Sequence, residues 1–173
     1  MTEGVLFTEQ QRFNQWWLWL LLACISGVFL FGLYWQVVLG KHYGNHPMSN
    51  TGLYLTNALV LLLLLFFRIL KLETQITKEG LDVRFYPLHF NTRHYSWADI
   101  KDVTVRAYSP IGEYGGWGLR TGSGGGAFNV SGDQGIQLVF KNGRRLLIGT
   151  NKPEEVARVL AVFREEKISY PGI

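Results

Sequence analysis

The chain has 173 residues, 17% of them charged, and a formal charge of +4, so it is one ordinary domain or a small domain with an anchor. Charge is unevenly spread: there is none from Trp16 to Gly40 or from Met48 to Phe67, while thirteen Lys or Arg and eleven Asp or Glu follow Leu72. That near balance excludes a broad basic face for nucleic acid, and the lone cysteine, Cys24, excludes an internal disulfide or a multi-cysteine metal site.

Residues 1–15 read as a short N-terminal segment. Trp16 to Leu39 follows as an apolar run of twenty-four residues. As a helix it would reach roughly 36 Å, enough to cross the hydrocarbon core of a bilayer. The run is too long, and its flank with Glu3 and Glu9 too acidic, for a cleaved signal peptide. Leu21-Leu22-Ala23-Cys24 has the look of a lipoprotein box, but the sequence stays apolar for fifteen residues beyond it, which favours a plain helix interior. Gly40 to Gly52, with Pro47, makes a turn, and residues 53–72 form a second apolar helix antiparallel to the first. Residues 16–72 are thus expected to be a transmembrane hairpin.

Within it, Gln36 and Asn57 lie at similar depth from the turn and are expected to hydrogen-bond to each other or to facing backbone. Ala23 and Gly27 offer a small-xxx-small pair for close helix packing. Arg12, Arg68, Lys71 and Lys78 flank the open ends against Lys41 in the turn, so the basic bias places both chain ends in the cytoplasm, with the hairpin in a cell (inner) membrane.

Past Leu72 the pattern alternates at a period of two. Glu73 to Lys78 and Leu81 to Tyr86 read as a hairpin around Glu79-Gly80; further strands are expected near Arg93 to Ser96, Asp102 to Tyr108, Ala127 to Val130, Gly135 to Phe140 and Arg144 to Thr150. Asn142-Gly143 suggests a type I′ turn, in which both central residues take positive φ. A helix over 152–166, capped by Asn151 with Glu154 three residues on, presents Val156, Val159, Leu160 and Phe163 as one stripe. Residues 73–167 thus form a β domain, with 168–173 a tail.

Thr77-Lys78-Glu79-Gly80-Leu81, Ser96-Trp97-x-Asp99-Ile100 and Asn142-Gly143 followed by Ile148-Gly149-Thr150 resemble, in that order, the bacterial PH-like proteins, many of which carry paired membrane helices ahead of the domain. The resemblance spans about Leu72 to Arg164. It implies a PH-like antiparallel β-barrel or sandwich closed by the terminal helix, and no activity.

The least ordinary stretch is Arg106 to Arg120, where Tyr108, Glu113, Tyr114, Trp117 and Arg120 are the candidate binding residues among glycines that let backbone approach a ligand. The bland reading is a glycine-bent barrel corner filled by Trp117. Thr121 to Gly126 has four glycines but no Gly-Lys-Ser/Thr ending, which makes it a hairpin tip rather than a phosphate loop. His42 and His46, and His89 and His94, lack acid or thiol neighbours at ligand spacing. Lys71, Lys78, Arg84 and Arg93 near the membrane exit suit topology signals or contact with anionic lipid. No catalytic motif stands out. The expectation is a non-enzymatic membrane-anchored binding or assembly module without metal or cofactor. Its partners would be membrane lipids and a protein or a second copy, with no nucleic acid and no evident small-molecule substrate. Anionic head-group recognition and a structural homo-oligomer are the alternatives.

Overall fold

A computed structural model describes residues 4–122 and 125–169, with side chains described to residue 162. The chain divides into two compact units, one made of the first twelve residues together with 70–173, the other of 13–69.

The second unit is a helical hairpin. Helix α1, Trp16–Leu33, runs on into a π-helical turn at Tyr34–Val38, and α2 covers Asn50–Ile69. Both are long and apolar enough to cross a membrane, and most of their apolar surface faces outward, with Leu55 68% and Leu59 66% exposed. The buried residues of the hairpin helices are Leu22, Ser26 and Gly32 on α1 and Leu53 and Asn57 on α2, and Asn57 donates across to the Phe29 carbonyl of α1. Ser26 turns its hydroxyl back to the Leu22 carbonyl at 2.7 Å, leaving a small surface toward its neighbour. Ala23 and Gly27, one position round the helix, are exposed, and a methyl group on Gly27 would meet nothing. The expected small-xxx-small contact is therefore not the one used. Gly32 is instead covered by the connecting turn, where a Cβ would lie 2.9 Å from the Tyr43 ring.

The first unit begins with an element missed by sequence reasoning. Strand β1, Val5–Arg12, buries Phe7, Glu9 and Gln11 on one face and pairs antiparallel with β2, Lys71–Thr77, with Arg12 opposite Lys71. The second helix thus ends at Ile69, three residues earlier than expected: Leu70, Leu72, Thr74 and Ile76 are buried in strand alternation. β3, Gly80–Tyr86, and β4, Arg93–Ser96, complete a four-stranded sheet in sequence order.

The second sheet has the order β5-β8-β9-β7-β6, from Ile100–Ala107, Gln134–Phe140, Arg145–Gly149, Gly125–Asn129 and Gly118–Gly122. β7 runs parallel to β9; every other pairing is antiparallel. Among the described residues no ladder joins the two sheets, so the strands form two sheets rather than a closed barrel. Core residues Leu72, Ile76, Val83 and Phe85 from one sheet and Ile136, Leu138, Leu147 and Ile148 from the other are fully buried. Helix α4, Pro153–Ser169, packs on β1, β5 and β8 through buried Val156 and Leu160, touching both sheets, while Val159 is half-buried and the Phe163 side chain lies outside the described residues.

Two local expectations are corrected. The β8–β9 connection is a hairpin, but only Gly143 has positive φ (+83°): Gly143 N–H donates to the Phe140 carbonyl and Phe140 N–H to the Arg144 carbonyl. Lys141 adds a third loop residue, which converts the two-residue type I′ turn into a longer turn ending in a left-handed glycine. Asn151 does not cap α4. Its side chain bonds Ser131, its N–H donates to Glu9, and Val156 N–H reaches back to the Lys152 carbonyl, which places the helix start one residue later.

Candidate functional site

Two of the sequence motifs, Thr77 to Leu81 and Ser96 to Ile100, hold one another. Thr77 Oγ accepts from Glu79 and Gly80 N–H at 3.3 and 3.2 Å, and the Trp97 indole donates to the Thr77 carbonyl at 3.0 Å. Gly80 has no room for a side chain, because a Cβ there would stand 2.3 Å from the Tyr95 carbonyl oxygen. Thr77, Glu79, Gly80 and Trp97 build the β2–β3 turn.

The Arg106 to Arg120 stretch contains a short helix α3, Pro110–Tyr114, and the start of β6. Ser109 caps α3 by accepting from Gly112 N–H. Glu113 accepts from Ser109 N–H at 2.9 Å and from the two terminal nitrogens of Arg106 at 3.2 and 2.7 Å, while Gln137 accepts from Arg106 Nε at 3.1 Å. The Arg106 hydrogen bonds hold the Glu113 carboxyl below its usual range, and the Glu113 bonds raise Arg106 further. Such an acid stays ionised and bound, a poor donor or acceptor of protons.

Of the five candidate binding residues, Tyr108 and Tyr114 are buried with their rings 6.0 Å apart, in a cluster with Ala127 and Leu147. Burial raises both phenol pKa values. Glu113 is held by Arg106, and the Trp117 indole donates to the Gly132 carbonyl at 3.1 Å. Only Arg120 reaches a cavity. In the hairpin unit, Gln36 and Asn57 do not meet: Gln36 donates to the Met48 carbonyl at 2.6 Å and to Asn50 at 2.9 Å, and Asn57 donates across to the Phe29 carbonyl at 3.2 Å and to Leu53.

That cavity, about 640 Å³, lies between β4 of the first sheet and the β6, β7, β8 and β9 side of the second. Arg93, Arg120, Arg144 and Arg145 line it, over a floor containing Tyr95, Phe128 and Phe140. Arg93 stacks on Phe128 at 5.6 Å and Arg144 on Phe140 at 4.9 Å from the ring centres. Arg120 Nε donates to the Trp117 carbonyl at 2.9 Å, which sets its direction. Among the described residues none of the four forms an ion pair. Glycine shapes the wall: at Gly125, φ +103°, a Cβ would lie 2.3 Å from the Arg145 carbonyl oxygen. The His89 ring packs edge-on to Phe128 at 5.2 Å, and burial, then Arg93, lowers its pKa.

Sequence reasoning noticed Arg93 and Arg120 separately and missed Arg144 and Arg145. The available signal was a pair of cations placed immediately after a hairpin turn. No cluster of three or more His, Cys, Asp or Glu suited to a metal occurs among the described residues. Compared with protein-family models, curated proteins and solved structures, the chain matches none.

Proposed function

We propose that this chain is a membrane-anchored binding or assembly module without enzymatic activity, its β domain a PH-like fold held at the cytoplasmic face of a cell membrane. The observation that supports it best is the hairpin unit, two helices of eighteen and twenty residues whose large apolar side chains point outward. A buried helix of a soluble protein would hide that surface, and water tolerates so large an apolar patch poorly. A lipid phase accepts it.

The register of β1 against β2 supports a hairpin anchor. The chain leaves the β domain at Arg12 and returns at Lys71, and these residues are partners in one ladder. A hairpin whose two ends attach to neighbouring strands crosses a bilayer twice and keeps both flanks on one side. A cleaved signal sequence is disfavoured by the same fact, because β1 precedes the first helix and is a strand of the sheet. The basic bias at the open ends supports the cytoplasmic side.

Support for the PH-like fold lies in the element order, two mostly antiparallel sheets followed by one helix that touches both. Absence of enzymatic activity is inferred from the pinned Glu113 and from the candidate loop, which packs its tyrosines inward. The test is separation of membranes from full-length producing cells. The chain should stay with the membrane through an alkaline wash and come off only in detergent; release by the wash overturns the proposal.

A further inference from the structure

We infer that the four-arginine cavity is a binding site for a phosphate-bearing ligand. The inference rests on reading the β domain as a binding module and names what it binds; it does not depend on the membrane anchor.

The distribution of charge supports it first. The chain after Leu72 is nearly balanced at thirteen cations to eleven anions, yet four of those cations line one cavity and none is neutralised by a carboxylate among the described residues. Like charges gathered in this way repel one another, and an anion placed among them turns that cost into attraction.

The presentation of the charges narrows the ligand. Arg93 and Arg144 lie over Phe128 and Phe140, contacts that hold the guanidinium groups at the cavity without a carboxylate partner. Several guanidinium groups gathered at one site can donate together to the oxygens of a tetrahedral oxyanion, which a monoanionic carboxylate satisfies less fully than a phosphate ester. A cavity of about 640 Å³ exceeds a bare phosphate, and its aromatic floor suits a sugar, glycerol or base attached to the phosphate. The cations are exposed at one half-open cavity while the rest of the chain after Leu72 is near charge balance, which disfavours an extended nucleic-acid backbone that needs a track of cations.

The phosphate could come from a lipid head group or from a soluble phosphoester. Full-length protein in neutral phosphatidylcholine nanodiscs should be titrated with inorganic phosphate at constant ionic strength, reading the Trp and Tyr fluorescence. Saturable binding is expected, with chloride unable to replace phosphate. Arg93→Gln and Arg144→Gln should each weaken binding about tenfold, the value of one lost charge-assisted contact. Arg→Lys at the same positions should recover part of it. An unchanged thermal midpoint in each variant is the control that its fold is intact.

A second arm adds phosphatidic acid to the nanodiscs, with phosphatidylserine at equal charge as the control. A lipid source is supported if phosphatidic acid, and not the control, weakens the binding of added phosphate; a soluble source is supported if neither does. The proposal is overturned if phosphate acts no better than chloride, or if a folded Arg93→Gln, Arg144→Gln double variant binds as tightly as the parent. Phosphate binding is read only on protein already incorporated, so its failure is distinguishable from a failure of the anchor, which the alkaline wash reads separately.

Discussion

The helical hairpin and the β domain are held together by different means. In the hairpin few side chains are buried and the polar contacts are local, Ser26 to Leu22 and Asn57 to Phe29 and Leu53 among them. The β domain is tied by residues far apart in the chain: buried Glu9 accepts from the Thr150 hydroxyl at 2.6 Å and from Asn151 N–H at 2.8 Å, and Gln11 donates to the Gly149 carbonyl at 2.6 Å. In the proposed account an apolar solvent does for the first what long-range contacts do for the second. Substitutions should therefore act on insertion in the hairpin and on folding in the β domain.

The largest effect should come from Gly80→Val. Its Cβ would collide with the Tyr95 backbone oxygen, which cannot move without breaking the β3–β4 ladder. A loss of more than about 4 kcal/mol, in the range of exceptional single substitutions, is expected from chemical denaturation of the full chain in detergent. Leu59→Arg, in the middle of α2, should cost about 3 kcal/mol of insertion. It should be read as a smaller membrane-integrated fraction, with the ligand response of the remaining integrated protein unchanged.

Glu9→Ala comes next. It leaves the Thr150 hydroxyl and the Asn151 N–H without their acceptor and should destabilise the β domain by about 2 kcal/mol, measured by the same denaturation. If the loss is near zero, β1 is not an integral strand and the two regions are less different than described.

These two regions also differ in how far they could be read from sequence. The hairpin was legible because uncharged length is a one-dimensional property, and so were most β strands, whose alternation is local. β1 was not: its pattern of Phe7, Glu9 and Gln11 inward places two polar residues on the buried face, which alternation counts as exposed. Their partners, Thr150, Asn151 and Gly149, lie some 140 residues away. The same limit hid the arginine cavity. Arg93, Arg120, Arg144 and Arg145 meet only because β4 ends one sheet while β9 and β7 run side by side in the other, and no local spacing encodes that parallel pairing. The candidate loop misled in the opposite way, since its aromatics are what a small core needs and Tyr108 and Tyr114 serve that need.

Acidity should give the smallest effect. The Glu113 carboxyl is held below its unfolded value, so its contribution to stability is present above that value and is lost as pH falls through the lower, folded one. Because Arg106 and Glu113 are each about one-third exposed, Glu113→Gln should cost less than about 1 kcal/mol at neutral pH, and it should flatten the decline of the thermal midpoint in acid. His89, lowered by burial, acts from about its ordinary 6.5 downward: the unfolded chain takes up the proton first, so stability falls as pH drops through that value toward the folded one. His89→Gln should remove that part of the slope.

The central claim is that β1 and the rest of the β domain lie on one side of a membrane that the hairpin crosses twice. Single cysteines in a Cys24→Ser background, at Thr8→Cys, Asn45→Cys and Lys141→Cys, can be probed in sealed membrane vesicles with an impermeant thiol reagent. Positions 8 and 141 should react from the same face, and position 45 only from the other. Labelling of all three from one face, or of 8 and 141 from opposite faces, would contradict it.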